Sequence, residues 1–222
     1  MGTIIADIET LRCTDEGQIK YLVDSVKPDS RLKDPAKVAA DIEEKQKAVI
    51  EKSGLDGGFG MLALVGMLTQ GIALRFANHE GTLQGERKML GDFWEHVNSN
   101  LMQKSAPVIV GHNIKWDLRF IAQRSAVHGI FVNREFLGLN ERYSNRIICT
   151  MEAWAGWGNT ISLDRLCHAL GVESPKRDID GSQVHDLWMS GADGRDRVMD
   201  YNYYDLVATR ECYERLRMVG MV

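Results

Sequence analysis

Two acidic residues, Asp7 and Glu9, interrupt an otherwise apolar segment near the start of the chain. Residues 3–9 are apolar and rich in β-branched side chains, which predicts a short buried β-strand. Side chains two positions apart in a strand point to the same face, so both carboxylates leave one face together. Because buried anions without a partner cost much free energy, the pattern predicts a positive partner beside them. The alternative is an edge strand with both carboxylates in water.

A third acidic residue, Asp117, ends the segment 111–117, between a strand predicted at 107–110 and a helix predicted at 117–128. In α/β proteins, ligands bind where strands end and helices begin. A carboxylate is also favoured at a helix N-terminus by the helix dipole, so a purely structural role for Asp117 stays open.

A fourth acidic residue, Asp205, belongs to a long helix predicted at about 194–217. Tyr201 precedes it by four positions, so the phenol and the carboxylate share one face of the helix. Ala208 and Cys212 continue this face, which has the spacing of a row that packs against a core. The alternative is a capped or solvated Asp205.

Together these segments supply four carboxylates and one phenol, a set of hard oxygen ligands that suits Mg²⁺ or Mn²⁺. Two such ions can hold a scissile phosphate and activate a water molecule for in-line attack. The combined pattern therefore predicts metal-assisted hydrolysis of a phosphodiester bond.

The same segments resemble the three motifs of the DEDD 3′–5′ exonucleases, which have a ribonuclease H-like fold. Asp7-Ile8-Glu9-Thr10 is similar to the first motif, and Asn113-x-x-Trp-Asp117 is similar to the second. Tyr201-x-x-x-Asp205 matches the third motif of the tyrosine subclass, and Asp200 stands where the histidine subclass has its histidine. The stretch 176–186 also resembles stand-alone bacterial or phage relatives of the proofreading exonuclease domain of family-B DNA polymerases.

This resemblance implies a role for each residue of the motifs. It implies that four carboxylates hold two divalent cations, Mg²⁺ or Mn²⁺: Asp7, Glu9, Asp117 and Asp205. Asp7 would bridge the two ions, Glu9 would also face the terminal 3′-hydroxyl, and Tyr201 would orient the attacking water. Three further residues would lie near the terminal nucleotide: Thr10, Asn113 and Trp116. Only the resemblance gives the 3′ polarity and the release of 5′-mononucleotides one at a time.

The elements that must position these residues alternate between strands and helices. Besides those named above, strands are predicted at 61–67, 70–77 and 146–150, and helices at 88–103, 163–170 and 182–189. This order predicts an α/β fold with a mixed sheet covered by helices. The resemblance makes this a ribonuclease H-like sheet in a single exonuclease domain spanning residues 1–222.

A charged helical insertion is predicted at about 30–53, opened by Pro35. It is interpreted either as a solvated surface helix or as a mobile cover or contact surface beside the site.

The charge balance limits how this protein could hold nucleic acid. With 27 basic and 31 acidic residues, the net charge of −4 excludes binding through bulk positive charge. A local basic surface is predicted between residues 115 and 146, formed by Lys115, Arg119, Arg124, Arg134, Arg142 and Arg146. Arg119 and Arg124 are the expected contacts to the substrate backbone, and a solvated loop is the alternative.

Two other features near these motifs have a structural and a functional interpretation. His112 could contact a phosphate, although a histidine beside a turn glycine is more often structural. Trp154 and Trp157, in a glycine-rich segment, could stack on bases or pack in a core.

The chain is expected to act in the cytoplasm and away from membranes. Its four cysteines form no CxxC pair, which favours reduced thiols, and its longest apolar run, residues 61–68, is far below the ~20 residues of a membrane span. The expected partner is nucleic acid with a free 3′ end, in particular single-stranded DNA. The alternatives are an exoribonuclease and a catalytically silent module that binds nucleic acid or a protein partner.

Overall fold

A computed structural model describes residues 2–102, 106–138 and 146–222. Its centre is a five-stranded mixed sheet with the strand order β3-β2-β1-β4-β5. The strands are β1 (Thr3–Leu11), β2 (Met61–Thr69), β3 (Ile72–Ala77), β4 (Val108–Gly111) and β5 (Ile147–Cys149). Strands β1, β4 and β5 are parallel, whereas β2 is antiparallel to both β1 and β3. The expected ribonuclease H-like α/β fold is confirmed.

Strand β1 lies in the middle of this sheet, paired with β2 on one side and with β4 on the other. The edge-strand interpretation of Asp7 and Glu9 is therefore wrong. The pairing of β1 with β2 shifts its register between Glu9 and Thr10, which indicates a β-bulge at the point where the acidic residues end.

Nine helices surround the sheet in the described part of the chain. They are α1 (Glu16–Asp24), α2 (Pro35–Lys52), α3 (Leu83–His96), α4 (Ile114–Val127), α5 (Arg134–Leu137), α6 (Thr150–Ala155), α7 (Leu163–Leu170), α8 (Val184–Met189) and α9 (Ala192–Met218). None of these helices has the length and apolar character needed to cross a bilayer.

The two faces of the sheet are covered by different helices. Ile4, Ala6 and Ile8 of β1 point to one face, where they pack with buried side chains of α3 and α4. Ile5 points to the other face and packs with Leu206 of α9. By strand alternation, Asp7 and Glu9 share the Ile5 face, so they point toward α9.

The charged segment predicted at 30–53 forms α2, which begins at Pro35 and has no fully buried residue. Asp34 caps it by accepting the backbone N–H of Ala36 at 2.8 Å. Its last turn reaches the sheet, because Glu51 pairs with Arg12 at 3.1 Å just after β1. A surface helix thus forms here, beside the end of the strand that carries Asp7 and Glu9.

Arg124 forms a buried ionic cluster with Glu86 and His128, which we call the guanidinium cluster. Arg124 and Glu86 have no exposed surface, and Arg124 Nη2 lies 2.7 Å from Glu86 Oε2. The same carboxylate accepts His128 Nε2–H at 2.7 Å and, through Oε1, the backbone N–H of Leu62 at 2.7 Å. The guanidinium also donates to the carbonyl oxygen of Gly57 at 3.3 Å. The cluster joins α3, α4, β2 and the loop before β2.

The burial of Arg124 corrects the sequence-based expectation that it contacts the substrate backbone. A side chain with no exposed surface and a carboxylate partner cannot follow a nucleic-acid strand.

Candidate active site

Strand β1 and helix α9 bring three carboxylates together. Ligand oxygens of Asp7, Glu9 and Asp205 all lie within 4.8 Å of one another, although Asp205 is almost 200 positions away in the sequence. Asp7 and Glu9 meet because they share a strand face, and Asp205 meets them because α9 packs across β1, β2 and β4. The i and i+4 relation with Asp205 places Tyr201 on the same side, where burial raises the pKa of Asp205 and the Tyr201 phenol opposes that rise.

Asp117 lies in the first turn of α4, directly after β4. Its Oδ1 accepts the backbone N–H of Ile8 at 3.2 Å, so one of its two carboxylate oxygens already has a hydrogen-bond partner on β1. It is buried, and its charge acts on both Asp7 and Glu9. The structure therefore places Asp117 beside the three-oxygen group rather than within it. We call Asp7, Glu9, Asp117 and Asp205 the acidic cluster.

The acidic cluster resists ionisation in the absence of a cation. Burial, followed by the neighbouring carboxylates, raises the pKa of Asp7, and burial is also the main cause that raises the pKa of Glu9. Burial raises the pKa of Asp117 to about 7 and that of Asp205 to about 7. Among the described residues, no lysine or arginine forms an ion pair with any of the four.

A divalent cation would fit this set of oxygen atoms. Carboxylates are the ligands that Mg²⁺ and Mn²⁺ prefer, and an ion would supply the positive charge that the surrounding side chains do not. Asp7, Glu9 and Asp205 are the residues placed to hold it directly.

Tyr201 is held in its protonated form. Burial, followed by the charges of Asp205, Glu9 and Asp7, raises the pKa of its phenol. The protonated hydroxyl is therefore available as a hydrogen-bond donor at this site.

Two residues of the site, Asn202 and Gly66, were not predicted from the sequence. Asn202 is fully buried, and its Nδ2 donates to Asp7 Oδ2 at 2.8 Å. Gly66 lies directly opposite Asp7 in the pairing of β1 with β2. The sequence contains a pointer to this glycine, because an isolated glycine in an apolar strand often marks close approach of another group.

Residues 63–221 match a family described as predicted 3′–5′ exonucleases related to the exonuclease domain of PolB. The chain belongs to this family. The matched range contains Asp117, Tyr201 and Asp205, whereas Asp7 and Glu9 precede it. The uncharacterized protein MJ0365 of Methanocaldococcus jannaschii is 26% identical over 144 residues, which are 63% of this chain and 78% of that protein. The exonuclease resemblance of the motifs is thereby confirmed at the level of the family.

In this member of the exonuclease family, the three residues expected near the terminal nucleotide have different environments. Thr10 is half-buried and lines an open pocket of about 330 Å³ together with Arg12, Leu55, Ser182 and His185. Asn113 is exposed and adopts a left-handed backbone conformation with φ of 63°. Trp116 is half-buried, with its ring 5.3 Å from that of Phe120.

The basic segment contributes less free charge than its sequence suggests. Arg119 is exposed, whereas Lys115 is bound to Glu152 at 2.6 Å. Arg134 is exposed on α5, and Arg146 donates to the carbonyl oxygen of Glu135 at 3.3 Å. Arg142 lies outside the described residues. Of the two expected contacts to the substrate, Arg119 alone is on the surface.

His112 has a structural role in this arrangement. Its Nε2–H donates to the carbonyl oxygen of Ile161 at 2.8 Å, and its Nδ1 accepts from the Thr150 hydroxyl at 3.0 Å. Both ring nitrogens are occupied, so His112 joins the end of β4 to the segment before α7.

The two tryptophans predicted to stack or to pack are exposed to different extents. Trp154, in α6, is 39% exposed, and Trp157, just after α6, is 83% exposed. Trp157 therefore lies on the surface rather than in a core.

Proposed function

We propose that the protein is a 3′–5′ exonuclease that hydrolyses phosphodiester bonds at the 3′ ends of single-stranded DNA and releases 5′-mononucleotides. The single observation that carries this proposal is the group of three carboxylate oxygens within 4.8 Å, contributed by Asp7, Glu9 and Asp205 in a chain of an exonuclease family. No cation of the described chain neutralises this group, so its chemistry depends on a cation from solution.

Two divalent ions, Mg²⁺ or Mn²⁺, are the proposed cofactors; when bound, such ions polarise the scissile phosphate and lower the pKa of water. Asp7, Glu9 and Asp205 would supply the direct ligands, and Asp117 would complete the set with the oxygen that does not accept from Ile8. The Ile8 hydrogen bond fixes the orientation of Asp117 before any ligand binds.

Tyr201 has a separate task in this proposal. Because its raised pKa keeps the phenol protonated and it shares one face of α9 with Asp205, it can hold a water molecule in place without removing a proton from it. Its contribution is orientation of the nucleophile, which lowers the barrier by fixing the attack geometry.

The experiment that tests this proposal compares the same oligonucleotide labelled at its 3′ end or at its 5′ end, with Mn²⁺ or with a chelator. We expect immediate release of the 3′ label as a mononucleotide, a ladder of shortened products from the 5′-labelled strand, and no products without metal. Release of the 5′ label as the first product would contradict the polarity.

The matched RNA oligonucleotide separates the enzymatic alternatives. Faster shortening of RNA than of DNA would make the protein an exoribonuclease, and binding without any shortening would make it a silent binding module. Asp205→Asn should abolish shortening, whereas Asp200→Asn, at an exposed position one turn earlier on α9, should not.

A further inference from the structure

We propose that Asn202 is a positioning residue that holds the Asp7 carboxylate in the orientation required for a divalent cation, and that Gly66 is present to make room for it. This inference rests on the proposed function. Asn202 lies between Tyr201 and Asp205 on α9 and is fully buried, facing the sheet rather than solvent.

The amide nitrogen of Asn202 is aimed at the acidic cluster. Its Nδ2 donates to Asp7 Oδ2 at 2.8 Å, and while burial raises the pKa of Glu9, the nearby Asn202 amide opposes that rise. One side chain therefore binds one of the three carboxylates that lie within 4.8 Å of one another and acts electrostatically on a second.

The amide oxygen of Asn202 points the other way and has no hydrogen-bond partner among the described residues, although it is buried. A buried acceptor without a partner costs about 1–3 kcal/mol, so folding alone does not favour an asparagine here. The structure accepts this cost together with one hydrogen bond, which Asn202 Nδ2 donates to Asp7.

Gly66 explains how the asparagine fits. A Cβ added at Gly66 would overlap Asn202 Oδ1, so the amide occupies the space of the missing side chain. Gly66 is also the cross-strand partner of Asp7. The glycine thus lets α9 place an amide directly beside the carboxylate on the neighbouring strand.

A neutral donor suits this position better than a charged one. Like charges push the carboxylates apart, and a hydrogen bond to one oxygen of Asp7 opposes that motion while its other oxygen stays available as a ligand. A lysine or arginine here would hold Asp7 too, but its charge would repel an incoming divalent cation.

The test measures Mn²⁺ binding to the purified protein by calorimetry, without nucleic acid. Asn202→Leu, which removes the donor at similar volume, should weaken Mn²⁺ binding by roughly 10- to 100-fold, the usual effect of losing a hydrogen bond to a metal ligand. Thr209→Val is the matched control, because Thr209 is a buried polar residue two turns further along α9, and its Mn²⁺ affinity should equal that of the wild type.

Activity supplies an independent readout. Turnover of Asn202→Leu should recover as Mn²⁺ is raised, with the Michaelis constant for the oligonucleotide unchanged, which a general loss of packing would not produce. Wild-type Mn²⁺ affinity in Asn202→Leu would overturn the inference.

Gly66→Ala provides a second variant that does not touch the amide itself. It should weaken Mn²⁺ binding as Asn202→Leu does, because the new methyl group displaces the amide. Combining Gly66→Ala with Asn202→Ala should restore the thermal stability that Gly66→Ala alone loses. If the double variant is no more stable than Gly66→Ala, the glycine is not there for the asparagine.

The two proposals fail in different ways. If Mn²⁺ binding depends on Asn202 but the wild type degrades no nucleic acid, the positioning role stands and the exonuclease activity does not. If the wild type degrades DNA with Mn²⁺ while Asn202→Leu binds Mn²⁺ normally, the activity stands and the positioning role is wrong.

Discussion

Glu86 and Glu9 are both buried carboxylates, but a guanidinium faces the first and other carboxylates face the second. In the guanidinium cluster, Glu86 accepts hydrogen bonds from Arg124, His128 and the backbone of Leu62. In the acidic cluster, burial and neighbouring charges raise the pKa values, and no basic side chain of the described chain pairs with the carboxylates.

The presence or absence of a basic partner distinguishes a buried carboxylate that stabilises the fold from buried carboxylates that can bind a metal ion. A buried carboxylate that is paired with a cation of the same chain contributes to folding and needs no cation from solution. A group of buried carboxylates that lacks such a match is unfavourable for folding alone, and it becomes favourable when an external cation binds. Each of the following predictions tests one side of this contrast.

The largest expected effect is on the stability of the guanidinium cluster. Arg124→Met leaves Glu86 buried without its main partner, so the free energy of unfolding should fall by about 3–5 kcal/mol, measured by urea denaturation. Turnover per folded molecule should stay at the wild-type value, because the partners of Arg124 are Glu86 and the loop before β2 rather than the acidic cluster.

Arg119→Met is the matched control, since Arg119 is an exposed arginine on the same helix. Its unfolding free energy should change by less than about 0.5 kcal/mol. Equal stability of the two variants would mean that the buried ion pair does not hold α3 to α4.

The next effect is on turnover, and it belongs to the acidic cluster. Tyr201→Phe keeps the ring and removes only the hydroxyl on the Asp205 face of α9, so turnover should fall roughly 10- to 1000-fold, or about 1.4–4 kcal/mol in the barrier. Mn²⁺ affinity and stability should be nearly unchanged.

Tyr203→Phe and Tyr204→Phe, which alter neighbouring phenols on other faces of α9, should be mild. Full activity of Tyr201→Phe together with a loss in Tyr204→Phe would contradict the assignment of Tyr201 to the site.

A third prediction concerns metal and stability. Mn²⁺ at about 100 times its dissociation constant should stabilise the wild type by about 2.7 kcal/mol, seen as a higher melting temperature. Asp7→Asn should lose most of this gain, whereas Arg124→Met should keep it. An equal shift in wild type and Asp7→Asn would place the metal elsewhere.

The last prediction concerns the pH dependence of the metal-free protein. Asp117 and Asp205 have folded-state pKa values of about 7, above the ordinary value of 3.8, so the folded protein holds protons that the unfolded chain has lost. Stability is therefore highest at low pH with respect to these groups and falls as the pH rises from roughly 4 to 7, by at most ~1.4 kcal/mol per pH unit for each group.

Urea denaturation in a chelator between pH 5 and 8 measures this slope. Asp205→Asn should flatten it, and Mn²⁺ should offset the loss at the upper end, because bound ligands are deprotonated. A slope that is unchanged in Asp205→Asn would assign the pH dependence to other groups.

Local spacing was sufficient to predict the elements that carry the acidic residues. Two-residue spacing placed Asp7 and Glu9 on one strand face, and four-residue spacing placed Tyr201 beside Asp205. Strands β2 and β3 and helix α7 also formed close to the predicted ranges 61–67, 70–77 and 163–170, because the turn between the strands and the Ser162 cap of the helix act over a few positions.

The partners of polar residues could not be predicted in the same way. Arg124 looked like a surface cation because its partner, Glu86, lies 38 positions earlier and meets it only after α3 and α4 pack. Asn202 was overlooked for the same reason, since its contact with Asp7 spans 195 positions. Helix α3 began at Leu83 rather than at 88 because Thr82 caps it, accepting the backbone N–H of Gly85 at 3.1 Å.

Three helices were missed because they are short or weakly apolar. Helix α1 buries only Leu22, and α5 and α6 have four and six residues. Such segments take their stability from the surface they pack on rather than from their own periodicity.

The length of α9 has a consequence for how long the site persists. The helix has 27 residues, or about 40 Å at 1.5 Å per residue, and Tyr201–Asp205 lie at least nine residues from either end. Helix ends open by fraying, whereas backbone amides in the middle of a packed helix exchange with solvent only when a large part of the domain unfolds. In hydrogen exchange, the amides of 201–205 should therefore be among the slowest, so the turn that carries half of the site should last as long as the folded chain itself.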